Sequence, residues 1–202
     1  MRGTALSLAA VLAACGAAAA EPAARSGTYD SLTLAISGDA VAGVFAEQRG
    51  TADAGSPQFA CVFLLRGPLA GDRAKVETWF PDEQERIPGD LAFTPDGAAL
   101  TLAEDHGGCS MTTGTMVGTP YALSRRAAAT PSGWIGVGLV TAERTAFRPE
   151  PGPAPARAPY LVRLDPVAVL ERRDAWVRVR YRGGKAPVIG WLPAADLAVV
   201  TP

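Results

Sequence analysis

Phe59-Ala60-Cys61-Val62-Phe63-Leu64-Leu65 decides the fold class. Phe59, Cys61, Phe63 and Leu65 share one parity, the period of a strand with one face turned to a core. Cys61 therefore points the same way as three large apolar side chains. Working outward, Leu32, Leu34 and Ile36 alternate in the same way before the turn Ser37-Gly38-Asp39. Val41 to Arg49 reads as the next strand, Gly50 to Pro57 as a loop and Gly67 to Gly71 as a turn. Val76, Thr78 and Phe80 continue the alternation, and Pro81 to Gly89 reads as a charged loop. Leu91 and Phe93 pair with Leu100 and Leu102 around Pro95-Asp96-Gly97, a turn tripeptide. No stretch holds a 3.6-residue apolar period over three turns. Six or seven short strands over residues 27–124 predict an antiparallel β-barrel or sandwich, with a filled or ligand-sized interior.

Residues 125–133 are small and polar and read as a linker. Strands resume over 134–202, with Gly138 to Phe147 as one candidate. Arg148 to Pro159 carries five prolines and reads as a long loop inside this second unit. The expected class is thus all-β, with two small domains. Charge divides along the same line. Residues 21–127 hold 14 acidic and 8 basic side chains, a net of −6; residues 128–202 hold 6 and 10, a net of +4. The halves could dock through this charge, or one could face a charged partner. Over the whole chain, 19 Lys and Arg against 20 Asp and Glu leave no basic footprint for nucleic acid.

Asp165 to Leu170, Trp176 to Tyr181, Gly190-Trp191-Leu192 and Asp196-Leu197 follow one another with short polar turns between them. This succession resembles bacterial SH3 (SH3b) domains over about residues 136–200, a third of the chain. The resemblance implies a five-stranded small barrel, an SH3-like barrel following the first one. Pro166 departs from the family pattern and trims backbone pairing there. In exported bacterial proteins such domains bind cell-wall peptides or act as spacers. Trp176, Arg178 and Arg180 share one face of their strand, and Val177, Val179 and Tyr181 the other. Together with Trp191 they are the candidate binding residues, because aromatic and Arg side chains dominate binding hot spots. The competing reading is that Trp176 and Trp191 only pack the barrel.

The N-terminus carries Arg2, an apolar run from Ala5 to Ala14 and small residues to Ala20. Residues 1–20 read as a secretory signal, too short to span a bilayer. Leu12-Ala13-Ala14-Cys15 has the form of a lipobox, in which Cys15 is lipidated. Ala18-Ala19-Ala20 has the form of an ordinary cleavage site. Both readings stay open, and both account for the odd cysteine. The expected location is the periplasm, with the membrane reached only through a lipid on Cys15. The 17 Arg, 2 Lys and 39 Ala fit GC-rich bacterial codons.

Cys61 and Cys109 remain, and in an oxidising compartment they most simply form one disulfide. Asp105-His106-Gly107-Gly108-Cys109-Ser110 is the strongest catalytic temptation, because a thiolate beside a histidine is a nucleophile. His106 is the only histidine in the chain, however, and the flanking residues do not fit a Cys–His transpeptidase or a papain-like peptidase. A zinc set of Cys61, His106 and Cys109 lacks a clear fourth ligand unless Asp105 serves. No phosphate-binding loop or nucleophile elbow is present. Carboxylates such as Glu83 and Glu85 read as a solvated charge run, and His106 as a residue of an exposed loop. The expectation is a non-enzymatic envelope protein with no cofactor and no metal, whose partner is a cell-wall peptide or another envelope protein. The alternative is a periplasmic inhibitor or small-ligand carrier acting through the acidic barrel.

Overall fold

A computed structural model describes residues 24–51, 57–126, 133–184 and 186–202. The proposed signal and Cys15 lie outside the described residues, as does most of the proposed linker. The chain is all-β. Its first eight strands form one antiparallel meander: β1 (Gly27–Tyr29), β2 (Leu32–Ser37), β3 (Ala40–Thr51), β4 (Pro57–Ala70), β5 (Arg73–Trp79), β6 (Ile87–Thr94), β7 (Gly97–Leu102) and β8 (Tyr121–Ser124). Each pairs with the next in sequence, most through tight turns, while residues 103–120, which include a short helix, connect β7 to β8. The sheet curls until its first and last strands nearly meet. Tyr29 bridges Arg125, and Arg126 donates its backbone N–H to the Thr28 carbonyl at 3.0 Å. Arg125 and Arg126, expected in the linker, therefore belong to the seam of the barrel.

The inward parity fills the barrel. Tyr29, Leu34, Phe45, Phe63, Leu65 and Leu100 are fully buried in one cluster. Phe45 and Phe63 stack with ring centroids 4.8 Å apart. Gly43 shows how full the interior is. A β-carbon there would lie 2.6 Å from Leu34 Cδ2 and 2.9 Å from Leu65 Cδ1. Phe59, which shares the inward parity, sits near the start of β4 and is 38% exposed, beyond the packed part of the strand. Strand boundaries also differ from the sequence reading. β4 continues through Gly67 to Ala70, because Val41, Gly67, Leu69 and Ala74 keep the ladder going to a tight turn at Gly71. Residues 81–86 form a loop, but Ile87 already begins β6.

A four-residue helix, α1 (Cys109–Thr112), lies against β4, and the Cys61–Cys109 disulfide ties it there. Its approach requires Gly108, which has φ 79° and whose absent side chain leaves room for the Ala60 carbonyl.

The second unit is a five-stranded antiparallel sheet in the order β14-β13-β12-β9-β15, made of β9 (Gly136–Val140), β12 (Pro166–Arg173), β13 (Trp176–Tyr181), β14 (Val188–Pro193) and β15 (Leu197–Val200). β10 (Arg144–Ala146) and β11 (Tyr160–Val162) pair separately. The single strand expected over 138–147 is thus β9 and β10, parted by residues 141–143, and the proline-rich stretch is the loop from β10 to β11. Pro166 is the first residue of β12, where a missing N–H costs little. Val140, Phe147, Leu161, Val167, Val169, Val177, Val179 and Leu192 form this unit's core.

All five residues of β9 are buried, because both of its faces are covered. Val140 faces the second unit's own core. Val137 and Leu139, with Val200 of β15, pack on Ala35, Ala42, Val44, Val62 and Leu64 on the outer face of the barrel. The halves meet through this apolar cluster rather than through an ion-paired interface among the described residues.

Candidate functional site

The Cys–His region holds no reactive constellation. Both cysteines are spent in the disulfide, and His106 is buried at 8% exposure rather than lying in an exposed loop. Its ring stacks on Phe63 at 4.7 Å and 17°. Its Nε2 lies 2.7 Å from Thr78 Oγ1, which donates its own proton to the Ile87 carbonyl at 2.9 Å. A hydroxyl has a single proton, so Nε2 must carry the hydrogen in the Thr78–His106 bond. Desolvation lowers the His106 pKa, and the nearby Asp105 carboxylate opposes that shift. The ring is a neutral structural plug. Among the described residues no group of three or more His, Cys, Asp and Glu side chains could hold a metal ion. Sequence reading missed the burial because the ring packs on Phe63 of β4 and bonds to Thr78 of β5, neither of them local to residue 106.

The candidate binding residues divide by face. Trp176, Arg178 and Arg180 project from the outer face of β13. Opposite them on β14 stand Pro193, Trp191 and Ile189. Arg178 is exposed and Ile189 is 49% exposed. The Arg173 guanidinium lies 4.8 Å from the Trp191 ring centre, and that of Arg148 lies 4.9 Å from Trp176. Such stacks hold cation and indole in fixed register. Trp191 is buried beneath this layer, because Arg148 pairs with it in both directions, Arg148 N–H to Trp191 O at 3.0 Å and Trp191 N–H to Arg148 O at 2.8 Å. Arg178 Nη1 stands 3.9 Å from Glu171 Oε2. Trp176, Arg178, Arg180 and Trp191 therefore lie on one cationic, aromatic face, whose floor is Trp191.

Tyr181 lies on the opposite face. Its hydroxyl donates to Asp165 Oδ1 at 3.1 Å, and its ring packs on the second core. Burial first, then the charge and hydrogen bond of Asp165, push the phenol pKa up to about 12. Arg148, Arg173 and Ile189, which complete the outer face, went unread. Arg148 lies in the proline-rich stretch, whose return to β14 has no local pattern. Arg173 and Ile189 follow from strand register, which no motif announces.

Two further concavities stand apart from this face. A groove of about 860 Å³ crosses the outer surface of β4 to β7, with Lys75 Nζ 2.6 Å from Asp90 Oδ1 along it. A smaller cleft lies between the barrel seam and β13, and Arg180 lines it. The chain matches no protein-family model, no curated protein and no solved structure.

Proposed function

We propose that this is a non-enzymatic protein of the bacterial cell envelope, exported to the periplasm, whose SH3b-like second unit binds a carboxylate-bearing cell-wall peptide or another envelope protein. The observation that carries the reading is the outer face of β13 and β14. There Arg178 stands beside Trp176, with the exposed Ile189 on the neighbouring strand. Aromatic area supplies apolar contact at low entropic cost, and guanidinium forks match carboxylates. The spent cysteines and the buried His106 favour binding over catalysis. The packed barrel interior weighs against the alternative of a small ligand carried inside it, while inhibition through the barrel's acidic outer surface stays the second reading.

Co-sedimentation of the mature protein with purified peptidoglycan tests the proposal. Retention at low salt is expected, reduced by Trp176→Ala and by Arg178→Gln. No retention of the wild type at low salt would refute wall binding. Inhibition of a cationic muramidase by the mature protein, without such retention, would turn the assignment to the inhibitor.

A further inference from the structure

One row of cross-strand partners runs across the second unit. Arg148 pairs with Trp191 of β14, Trp191 with Arg178 of β13, and Arg178 with Glu171 of β12. Antiparallel partners project to the same side of their sheet, so all four side chains share the outer face. On β12 a bulge between Val169 and Glu171 sets this register. Val169 pairs with Val179, and both belong to the second core. Strict alternation from there would turn Glu171 inward and set Leu170 opposite Arg178. The extra residue instead brings Glu171 opposite Arg178 and Arg173 opposite Trp176.

The guanidinium ends are placed by their contacts. That of Arg148 lies over Trp176 and that of Arg173 over Trp191, so arginines from the two flanks cross to the indoles between them. Arg148 Nη1 donates to the Ala146 carbonyl at 3.0 Å, while its buried Nε has no hydrogen-bond partner among the described residues. The stack on Trp176, rather than a full set of hydrogen bonds, holds that group.

Arg173 and Arg178 share one carboxylate. Arg173 Nη2 donates to Glu171 Oε1 at 3.0 Å, and Arg178 Nη1 stands 3.9 Å from Oε2, beyond a hydrogen bond. The three side chains are 59%, 47% and 41% exposed, in the order Arg173, Arg178 and Glu171. Ion pairs this open are worth little, because solvent and salt screen them and long side chains must be ordered to make them. The carboxylate between the two arginines is therefore exchangeable.

We propose that Arg173 and Arg178 are the carboxylate-binding pair of this face, and that Glu171 occupies it as an internal competitor until the carboxylate of a peptide displaces it. The inference rests on the binding role proposed for this face, and adds which groups receive the ligand and what opposes it. Trp191 is a positioning residue that holds the Arg173 fork in place. Displaced Glu171 turns to water, so the exchange buries no unpaired charge. A tethered carboxylate competes at high effective concentration. A bare anion gains little over it, whereas a peptide that also covers the exposed Ile189 can displace it.

Two measurements on the mature protein test this together: retention on purified peptidoglycan, and NMR titration of the Trp176 and Trp191 indole N–H signals. The titrants are acetyl-dialanine with a free C-terminal carboxylate, its amide, and an amidated acetyl peptide whose only carboxylate is a glutamate side chain. Saturable shifts of the Trp191 signal are expected with the carboxylate peptides and not with the amide. A stronger response to the terminal or to the side-chain carboxylate assigns its source, and either supports the pair. Glu171→Gln should tighten binding about two- to fivefold, the strength of an exposed ion pair. Arg173→Gln with Arg178→Gln should abolish it. Glu143→Gln, an equal charge change at the ion pair with Arg163 outside this face, should leave it unchanged. Retained thermal unfolding midpoints establish that the variants are folded. Binding by Glu171→Gln equal to or weaker than the wild type, or an equal gain in Glu143→Gln, overturns the internal competitor while wall binding stands. Peptide titration tightened by Glu171→Gln, without retention on peptidoglycan, supports the competitor and refutes wall binding. Neither retention nor titration overturns both.

Discussion

Thr78 Oγ1 and His106 Nε2, 28 residues apart in sequence, meet at 2.7 Å inside the barrel and fix the tautomer of the only histidine in the chain. Because Thr78 spends its proton on Ile87, His106 must be protonated on Nε2. Nitrogen-detected NMR should therefore show a neutral ring with hydrogen on Nε2 at pH 7.

The same burial couples stability to pH. Desolvation lowers the folded-state pKa of His106 below its ordinary 6.5. A ring that is neutral when folded but chargeable when unfolded contributes its full stability above about pH 6.5. That contribution falls as pH drops from 6.5 through the lowered folded value. His106→Gln should flatten this part of the stability profile. His106→Ala should cost about 2–3 kcal/mol at pH 7.5, from the lost stack on Phe63 and the lost partner of buried Thr78. Urea unfolding at several pH values measures both effects. A wild-type profile equally steep in His106→Gln would exclude His106 as its source.

The disulfide closes a loop of 48 residues of separation and holds α1 on β4. Removing that constraint from the unfolded chain should cost about 2–4 kcal/mol. Cys61→Ser with Cys109→Ser should lower the unfolding midpoint and raise hydrogen exchange first in residues 105–116. Mass spectrometry of the untreated protein should detect no free thiol at either position.

How much of this was legible depended on range. Period-two alternation located the strands, because each buried face leaves a local record, as in Phe63 and Leu65 or Val177 and Val179. The Cys61–Cys109 pair was legible from compartment and count. The joining of the halves was not. Ala35, Ala42 and Val44 are too small and too scattered to announce an outer face that is buried, and only the sheet topology shows that Leu139 covers them. The row from Arg148 to Glu171 was hidden for the same reason, because Arg148 joins it only when the chain after β10 returns to β14.

The shared apolar cluster makes the two sheets one cooperative unit. Leu139 is fully buried between them. Leu139→Ala should lower stability by about 2–4 kcal/mol while leaving a single unfolding transition. Leu139→Asp, which puts a charge against Val44 and Leu64, should part the sheets and expose that face to a hydrophobic dye. Two separate transitions in the wild type, by fluorescence and circular dichroism, would contradict a common core.

The Tyr181–Asp165 contact predicts alkaline behaviour. The chain has four tyrosines, and Tyr181 is pushed up to about 12 by burial and by the Asp165 carboxylate. Its folded pKa exceeds the ordinary value near 10, so the folded state holds this proton more tightly than the unfolded chain does. The stability it contributes is complete below pH 10 and is lost as pH rises from 10 through 12. Asp165→Asn removes the charge but keeps an acceptor for the hydroxyl, and should bring the Tyr181 pKa down. Ultraviolet titration of phenolate absorbance, with Tyr181→Phe to assign the last step, reads this directly. If Tyr181→Phe removes an ionisation near 10 instead of the latest one, the buried Tyr181–Asp165 pairing is wrong, and with it the packing of β13 on the loop before β12.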